Sequence, residues 1–401
     1  MKKNDKSNLL IAQSGGPTMV INQSLVGVVA AALDHPRVGR IYGARHGITG
    51  ILREDLIDFR RESRRQLEVV AATPSAALGS VRRKPTPEDC VAIFEVLHRR
   101  GVRGFFYIGG NDSAETVHII NEAAKQAGSD LCCFHIPKTI DNDLLENDHT
   151  PGYGSAARFV ACALMGDDLD NRALGGVKID VIMGRHAGFL TAAAALARTA
   201  PDDGPHLIYL PERPFVAERF VADVQGVIKR LGRCVVAVSE GIVDEKGVAI
   251  IARFSGEKDS HGNVQLSGTG ALGDLLSDLI RAQDKSLRVR ADTFGYLQRS
   301  FPGVASAVDA REARAVGKAA LLAAMSGLHT SGSVAIRRRP GPRYGVDFVI
   351  VPLRKVAKNT RHVPASFINR AGNDVTQAFI DYARPLVGDL PPKGLLKGVR
   401  A

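Results

Sequence analysis

The stretch RGFFYIGGNDSAET, residues 103–116, shows the unit from which this chain is built. An apolar run ends at Ile108, and Gly109 and Gly110 then open a turn. The letters NDS that follow are residue types preferred at the first positions of a helix. We therefore predict a β-strand that passes through a tight turn into an α-helix.

The same alternation of short apolar runs and amphipathic stretches continues along most of the chain. Further strands are predicted in NLLIAQ (8–13), LCCFHIP (131–137), KIDVIMG (178–184), HLIYLP (206–211) and CVVAVSEG (234–241). Helical spacing marks residues 87–100 and 215–232, and the TPGYG break at 150–154 precedes a long helical segment. The alternation predicts an α/β fold with parallel sheets covered by helices. Ligands of such sheets bind beyond the carboxyl ends of the strands, so the polar motifs there are expected to share one cleft.

The composition is that of an ordinary globular protein, with 45% apolar and 24% charged residues. No apolar run approaches the length of a membrane span, about 20 residues, so we expect no membrane contact. The apolar run Leu9–Ala12 behind the first lysines is too short for a signal-peptide core, which predicts a cytoplasmic protein. The five cysteines form no metal-binding pattern and lie in apolar segments, which predicts buried free thiols.

The formal net charge of +11 indicates either a nucleic-acid partner or small polyanionic ligands. The densest basic clusters, at residues 60–66 and 337–343, contain no aromatic residues, and no nucleic-acid-binding motif is evident. We therefore interpret these clusters as surface or subunit-contact charges and expect no nucleic-acid partner. The remaining basic excess is suited to phosphorylated small molecules.

Two Gly-Gly pairs follow predicted strands. Gly15 and Gly16 leave backbone N–H groups accessible where the chain turns into a helix, and Pro17 suits the first turn of that helix. Such a turn favours a bound phosphate, although a tight turn without a ligand is the alternative. The second pair, Gly109 and Gly110, has a plain helix cap as its alternative, but its recurrence favours the phosphate interpretation.

The segment PKTIDND, residues 137–143, carries a lysine and two carboxylates directly after a strand. Phosphoryl transfer to an alcohol needs a carboxylate that accepts the hydroxyl proton, a cation near the transferred group and a carboxylate that can hold Mg²⁺. Lys138, Asp141 and Asp143 are of the right types. The alternative is an acidic turn held by side-chain hydrogen bonds.

Three further motifs offer groups for a phosphorylated sugar. VIMGRHAGF places Arg185 after a strand, where its guanidinium suits a phosphate, and AVSEGI places Glu240 where its carboxylate suits a sugar hydroxyl. RADTFGYLQRS (290–300) offers two arginines and a tyrosine. A purely structural arginine is the alternative for each of these arginines.

The motifs SGGPT, GGND, PKTIDND, MGRHAG, SEG and GYLQR occur in the order found in the 6-phosphofructokinases, and the chain resembles that family over residues 8–310. Residues 373–388 are similar to the family's C-terminal part. The resemblance implies two Rossmann-like three-layer domains with mostly parallel sheets and an active site in the cleft between them. The phosphoryl-donor domain would comprise residues 1–152 plus about 298–345. The fructose 6-phosphate domain would comprise about 153–297 plus 346–401.

The resemblance also implies roles for individual residues. Asp141 would accept the proton of the sugar 1-hydroxyl, and the catalytic group would further include Lys138, Asp112 and Arg185. Fructose 6-phosphate would be bound by Thr139, Ile140, Met183, Gly184, Arg185, Glu240, Arg290, Tyr296 and Arg299. The donor would be held by Gly15, Gly16, Arg82, Gly110 and Lys138, and Mg²⁺ by Asn111 and Asp143.

The choice of donor depends on two positions where ATP-dependent members of the family carry glycine. Asp112 adds volume and negative charge where the α-phosphate of a nucleotide would pass, and Lys138 adds a cation that suits pyrophosphate as leaving group. Both changes resemble the pyrophosphate-dependent branch. The aromatic residue that often stacks on adenine in the ATP enzymes is replaced by Arg45 or His46.

Two departures from the family pattern affect these roles. Asn111 stands where the family usually has aspartate, and an amide is a poorer Mg²⁺ ligand than a carboxylate. Gly176 stands where the ATP enzymes carry an arginine that reaches the sugar phosphate of the neighbouring subunit. The nearest cation, Lys178, either substitutes for that arginine, or the contact between subunits differs.

The reaction implied is the reversible transfer of a phosphoryl group from pyrophosphate to fructose 6-phosphate, with Mg²⁺ as cofactor, in a homodimer or homotetramer. The alternatives are an ATP-dependent 6-phosphofructokinase with altered loops, or a basic nucleic-acid-binding or scaffold protein on the same fold.

Overall fold

The computed structural model describes residues 6–253, 270–357, 360–394 and 396. Its strands are β1 (Ser7–Gln13), β2 (Val38–Ala44), β3 (Leu56–Asp58), β4 (Val102–Gly109), β5 (Cys132–Pro137), β6 (Gly176–Ile182), β7 (Leu207–Tyr209), β8 (Arg233–Ser239), β9 (Val289–Thr293), β10 (Ser331–Arg338) and β11 (Val346–Val351). They form a seven-stranded sheet of order β11-β10-β5-β4-β1-β2-β3 and a four-stranded sheet of order β7-β8-β6-β9. Only the two edge pairings of the larger sheet, β10–β11 and β2–β3, are antiparallel among the strands described.

Helices cover both faces of both sheets. They are α1 (Ile21–Asp34), α2 (Gly47–Leu52), α3 (Arg64–Ala72), α4 (Pro87–Arg99), α5 (Asn111–Gln126), α6 (Tyr153–Leu174), α7 (Phe189–Ala192), α8 (Ala217–Leu231), α9 (Ala271–Arg281), α10 (Leu297–Ser300), α11 (Ala307–Ser326), α12 (Leu353–Val356) and α13 (Gln377–Val387). Short 3₁₀ turns lie at Phe59–Arg61, Ala193–Ala197, Ile250–Arg253 and Ala365–Phe367.

Alternate side chains of each strand build two cores on opposite faces. In β1, Leu9 and Ile11 pack with α1, α3 and α11, whereas Leu10 and Ala12 pack with α2, α4 and α5. In β6, Val177 and Ile179 face α8 and α9, while the other face of this sheet packs on α6, the 193–197 turn and α13. Because neighbouring side chains in a strand point to opposite faces, both sheets are the middle layers of three-layer units. The predicted α/β fold with mostly parallel sheets is confirmed.

The six strands and two helices predicted from sequence are all present, and a 22-residue helix follows the TPGYG break at Gly152. The five cysteines are free, as predicted, and four of them are buried, but Cys162 is only partly buried, contrary to the prediction. Among the residues described, no helix combines the length and the apolar character that crossing a membrane would require.

One segment lies elsewhere than the sequence indicated. Residues 346–351, expected with the fructose 6-phosphate domain, form β11 and pair with β10 from Ser333–Val351 to Arg338–Val346. They belong to the larger sheet because the short turn after β10 returns the chain along the same edge. By contrast, α13 packs against α6 beside the smaller sheet, on the side that was expected. The remaining domain limits stay predictions.

The carboxyl ends of the strands position the candidate site. In the larger sheet, β1 ends at Gln13, β4 at Gly109 and β5 at Pro137. In the smaller sheet, β6 ends at Ile182 and β8 at Ser239. The residues that follow these five ends line one common cleft between the two sheets.

Candidate active site

The cleft has a volume of about 510 Å³ and is lined by side chains from both sheets. It brings together most of the residues that the sequence predicted: Gly15, Gly16, Arg82, Gly110, Asn111, Asp112, Lys138, Thr139, Ile140, Asp141, Asp143, Met183, Arg185, Glu240 and Arg299. Gly184, Arg290 and Tyr296 do not line it. Since most of the lining residues follow five separate strand ends, the expectation that these motifs converge is met.

The first glycine pair lets two cations approach the main chain. Gly15 has a φ of 73°, which favours glycine, and a Cβ there would lie 3.3 Å from the Nζ of Lys138. A Cβ on Gly16 would lie 3.2 Å from the guanidinium carbon of Arg299. Pro17 does not open the helix, because α1 begins only at Ile21. Positive side chains, rather than the helix end at Ile21, therefore make this loop attractive to a phosphate.

The second glycine pair does lead directly into a helix. Gly110 is the residue before α5, and its side-chain-free position leaves the first turn of that helix, Asn111 to Ser113, facing the cleft. Gly110 has no side chain, so the N-cap position forms no side-chain cap, and the alternative of a plain helix cap is not supported there. The first backbone N–H groups of an uncapped helix favour an anion.

Lys138 lies at the centre of the site. Its side chain is only 2% exposed, its Nζ donates to the carbonyl oxygen of Gly16 at 2.6 Å, and its backbone N–H donates to Gly109 at 2.9 Å. Burial, and then the nearby Arg299 guanidinium, lower the pKa of the lysine to about 7. A buried cation beside the glycine turn is suited to neutralise an anionic ligand.

Asp141 and Asp143 lie on a turn that other polar groups hold in place. The hydroxyl of Thr139 accepts from the N–H of Asp141 at 3.1 Å, and Asn142 has a φ of 59°. Asn142 also accepts from the N–H of Thr150 at 3.1 Å. Side-chain hydrogen bonds therefore do form this turn, and they aim its two carboxylates into the cleft.

The two carboxylates hold their protons more tightly than isolated ones. Burial raises the pKa of Asp141, while Arg299 and Lys138 oppose that rise. Burial, and then the charge of Asp141, raise the pKa of Asp143 to about 7. A raised carboxylate pKa suits a group that must accept a proton near neutral pH.

Asn111 and Asp143 form the candidate metal-binding pair. The Nδ2 of Asn111 donates to the carboxylate of Asp143 at 3.0 Å, and the buried Oδ1 of Asn111 has no hydrogen-bond partner within the described residues. An unpartnered amide oxygen beside a carboxylate offers the hard oxygen ligands that Mg²⁺ takes, so the residues fit that ion.

On the side of the smaller sheet, backbone geometry sets the direction of Arg185. Gly184 has a φ of 152°, and a Cβ there would meet the carbonyl oxygen of Ala187 at 2.8 Å. Its own carbonyl accepts from the hydroxyl of Ser239 at 2.7 Å. Gly184 is thus required by the turn that presents Arg185, and not by contact with the cleft. Glu240 is 5% exposed, and its N–H donates to Ile182 at 2.9 Å.

Tyr296 and Arg290 differ in how they relate to the cleft. The ring of Tyr296 is 53% exposed and lies 4.6 Å from the guanidinium carbon of Arg299, a cation–π contact that orients this arginine. Arg290 is exposed on β9, the edge strand of the smaller sheet, and its Nη1 donates to the carbonyl of Val289 at 2.9 Å. The cleft of its own chain does not include Arg290.

Lys178 is surrounded by acids. Its Nζ contacts Asp292 and lies 3.4 Å from Asp167 and 3.7 Å from the buried Asp180. These three carboxylates would repel a phosphate that approached the lysine. Lys178 is therefore a poor replacement for the arginine that the ATP enzymes carry at the position of Gly176.

The structure adds lining residues that the sequence did not single out as site residues: Ser14, Pro17, Thr18, Val81, Arg83, Lys84, Tyr107, Ser113, Thr116, His186 and Thr360. For Arg83 and Lys84 a signal was available, because they directly follow the predicted Arg82 in the run RRK at 82–84. Arg45 and His46 do not line the cleft. The ring of His46 packs beneath Gly79, where a Cβ would lie 2.6 Å from it.

Comparisons with known proteins agree with this geometry. Residues 8–324 match the family model described as phosphofructokinase. The chain is 56% identical to the pyrophosphate–fructose 6-phosphate 1-phosphotransferase of Rhodospirillum rubrum, over 96% of this chain and 95% of the relative. It is 41% identical to the protein of the same name from Xanthomonas campestris, over 96% and 92%.

Solved structures give the same result. The crystal structure of a pyrophosphate-dependent phosphofructokinase from Marinobacter aquaeolei is similar to this chain with a TM-score of 0.85 and 32% identity, covering 98% of this chain and 95% of that one.

Proposed function

The chain belongs to the phosphofructokinase family, and we propose that it transfers a phosphoryl group from pyrophosphate to fructose 6-phosphate. The products are fructose 1,6-bisphosphate and phosphate, and the reaction is reversible because the bonds broken and formed have similar transfer potentials. The names of the relatives that align over more than nine-tenths of both chains support this donor and this acceptor.

The observation that carries the proposal is the placement of Lys138. Its buried ammonium group touches the Gly16 carbonyl on one side and is close enough to Asp141 for their charges to interact on the other. A cation between a glycine turn and a candidate base suits a donor that consists of phosphate groups alone. The ammonium group of Lys138 then neutralises the charge that develops on the leaving phosphate.

The chemistry follows from these groups. Asp141 accepts the proton of the sugar 1-hydroxyl. The hydroxyl oxygen attacks one phosphorus of pyrophosphate, and the bond between that phosphorus and the bridging oxygen breaks. Lys138 and Arg82 stabilise the charge that develops on the leaving phosphate. Because phosphoryl transfer depends mainly on positioning and electrostatic stabilisation, the cations near the donor, the buried Lys138 and the exposed Arg82, are the main catalytic contribution of the protein.

The sugar phosphate is placed against the smaller sheet. Glu240 offers a carboxylate to sugar hydroxyls, while Arg185 and Arg299 offer charged hydrogen bonds to a phosphate. Met183, Thr139 and Ile140 complete the wall on this side. The Tyr296 ring that packs on Arg299 supports its orientation.

Mg²⁺ is the proposed cofactor, held by the carboxylate of Asp143 and the amide oxygen of Asn111. When bound, the ion neutralises donor phosphate oxygens. The amide of Asn111 supplies a weaker ligand than a carboxylate would, so Asp143 is the main protein ligand.

A cytoplasmic homodimer or homotetramer is proposed, with Arg290 on the surface that meets another subunit. The contacts of the basic clusters at residues 60–66 and 337–343 support a structural role for these arginines, and not a role in binding nucleic acid. Arg60 donates to the carbonyl of Val38 at 2.8 Å, Arg64 pairs with Asp34, and Arg337 pairs with Glu146, both at 2.5 Å.

A coupled assay that compares Mg-pyrophosphate with Mg-ATP tests the function. The expected result is formation of fructose 1,6-bisphosphate with pyrophosphate only, and formation of pyrophosphate from the bisphosphate and phosphate in the reverse direction. Efficient turnover with ATP and none with pyrophosphate would overturn the proposal and leave the ATP-dependent alternative.

A further inference from the structure

Lys84 bridges two acids on the helix that opens at the donor end of the cleft. Its Nζ lies 2.6 Å from the carboxylate of Glu115 and 3.4 Å from that of Asp112. Asp112 and Glu115 are three residues apart in the first two turns of α5, so they project from the same face of the helix. One ammonium group thus serves two carboxylates beside the cleft.

The chain around Lys84 is held in place by the start of the next helix. The neighbouring Arg83 donates to both oxygens of Asp89, at 2.7 and 2.8 Å. Thr86 and Asp89 form a reciprocal cap on α4, with Pro87 at its first position. The loop is therefore fixed on α4, and the side chain of Lys84 reaches from it to α5. The side chain of Glu115 is only 12% exposed, which gives the ammonium a largely buried anchor.

The two acids create an electrostatic problem for an anionic donor. The amino-terminal end of α5 attracts anions through the positive end of the helix dipole, but the two carboxylates near this end oppose the approach of pyrophosphate. Lys84 supplies the compensating charge at the same place. The volume of Asp112 remains in the cleft after its charge has been balanced.

We propose that Lys84 is a positioning residue for donor selection: it holds the Asp112 carboxylate at the donor end and balances its charge. Asp112 then excludes a nucleotide by volume without repelling pyrophosphate. This inference rests on the proposed function, and it deepens it by assigning the choice between the two donors to the pair: Asp112 excludes ATP, and Lys84 keeps pyrophosphate acceptable.

A rescue experiment tests this assignment. Lys84→Met removes the positive charge that lies between the two acids, so it should raise the KM for pyrophosphate about tenfold or more with little change in kcat. Lys84→Met combined with Asp112→Asn also removes one of the two negative charges and should recover most of the lost affinity. Lys84→Arg should keep a KM near that of the wild type.

A matched control comes from the other end of the same helix. Lys125 pairs with Glu122 at 2.9 Å on the surface of α5, and Lys125→Met should leave both constants unchanged. Thermal melting of each variant verifies the fold, which is expected to persist because the Lys84 side chain is 49% exposed. Glu115→Gln tests the same balance with Lys84 in place: removal of one carboxylate should lower the KM for pyrophosphate, and an unchanged or raised KM contradicts the inference.

The outcomes separate this inference from the function. If the wild-type protein does not use pyrophosphate, the proposed function itself is wrong. If it does, but Asp112→Asn fails to rescue Lys84→Met, then Lys84 acts by touching pyrophosphate directly, and the inference is overturned while the function stands.

Discussion

Lys138 donates a hydrogen bond from its side-chain Nζ to the main-chain carbonyl oxygen of Gly16 at 2.6 Å, across 122 residues of sequence. The contact joins the end of β5 to the turn after β1, and Gly15 makes room for it, since a Cβ there would lie 3.3 Å from Nζ. Because Lys138 is buried, its pKa is lowered, and this shift should be visible in the pH dependence of the reaction.

The pH dependence of pyrophosphate use should show this lowered pKa. Burial lowers the pKa of Lys138 in the free protein to about 7, so the side chain loses its charge as pH rises through that value. A neutral amine cannot neutralise the donor, and kcat/KM for pyrophosphate should therefore fall above about pH 7. It should also fall at acid pH, where Asp141, whose pKa is raised by burial, takes up a proton.

The Lys138→Arg variant tests whether Lys138 causes the fall of kcat/KM at alkaline pH. A guanidinium stays charged over the whole accessible range, so this variant should lose the decline near pH 7 or shift it strongly upward, even if its maximal rate is lower. A decline at the same pH in the variant and the wild type would show that another group controls it. The measurement is kcat/KM for pyrophosphate between about pH 5 and about pH 9, a range that spans about two units on either side of the expected value.

Asp141→Ser should remove the proton acceptor while keeping a small polar side chain. General-base catalysis typically contributes 10²–10⁴-fold, so kcat should fall by about that factor while the affinity for fructose 6-phosphate changes little. Steady-state kinetics and equilibrium binding of the sugar phosphate measure the two effects. Asp130→Ser, at a carboxylate 70% exposed beside Arg103, is the control and should behave as wild type. Retention of most of the activity by Asp141→Ser would exclude its role as base.

How much of this architecture the sequence reveals depends on burial. The strands β1, β4, β5 and β8 are covered on both faces, so they are continuous apolar runs and were predicted. In β9 and β11, which form sheet edges, exposed and covered positions alternate, and neither was predicted as a strand. In β9, Arg290 and Asp292 interrupt the apolar signal. By contrast, β11 (VDFVIV) contains one polar residue, Asp347, and was missed despite its apolar character.

The site follows a similar division. Lys138 and Asp141 lie three positions apart in the segment that follows β5, so one motif predicts both. Lys84 was missed because its significance arises only from the approach of the 82–86 loop to α5, which no local pattern records. Arg290 was predicted in the cleft because of its motif, but its direction depends on the position of β9 at the edge of the sheet.

The two arginines of the RADTFGYLQRS segment should differ in the subunit they serve. Arg299 lines the cleft of its own chain, so Arg299→Ala should raise the KM for fructose 6-phosphate about tenfold, the loss of one charged hydrogen bond. Arg290 is exposed on the edge strand and does not line that cleft, so in the proposed oligomer we expect it to serve the sugar phosphate of a neighbouring subunit. Arg290→Ala should therefore raise the same KM through the partner's site.

Mixed oligomers decide the point. An Asp141→Ser chain paired with an Arg290→Ala chain forms one site that contains both defects and one site that contains neither. Recovery of activity on mixing the two inactive or weakened proteins is expected if Arg290 acts across subunits. Absence of recovery, in oligomers shown by tagged co-purification to be mixed, would mean that Arg290 serves its own chain or none.

Exclusion of ATP should depend on the volume of Asp112 more than on its charge, because Lys84 lies 3.4 Å from that carboxylate. Asp112→Gly removes both volume and charge and should improve the binding of ATP as an inhibitor competitive with pyrophosphate by about tenfold, the effect of removing a single obstructing element. Asp112→Asn removes the charge alone and should change ATP binding little. Turnover with ATP need not follow in either variant, because relief of one obstruction does not create contacts for the base and ribose.

Glycine in the first turn of α5 lowers the stability of the protein by roughly 0.5–1 kcal/mol, so the comparison is made well below the melting temperature of each protein. The inhibition constants for ATP against pyrophosphate give the answer: equal gains in the two variants would show that charge governs the exclusion, and no gain in Asp112→Gly would place the barrier to nucleotides at another residue of the cleft.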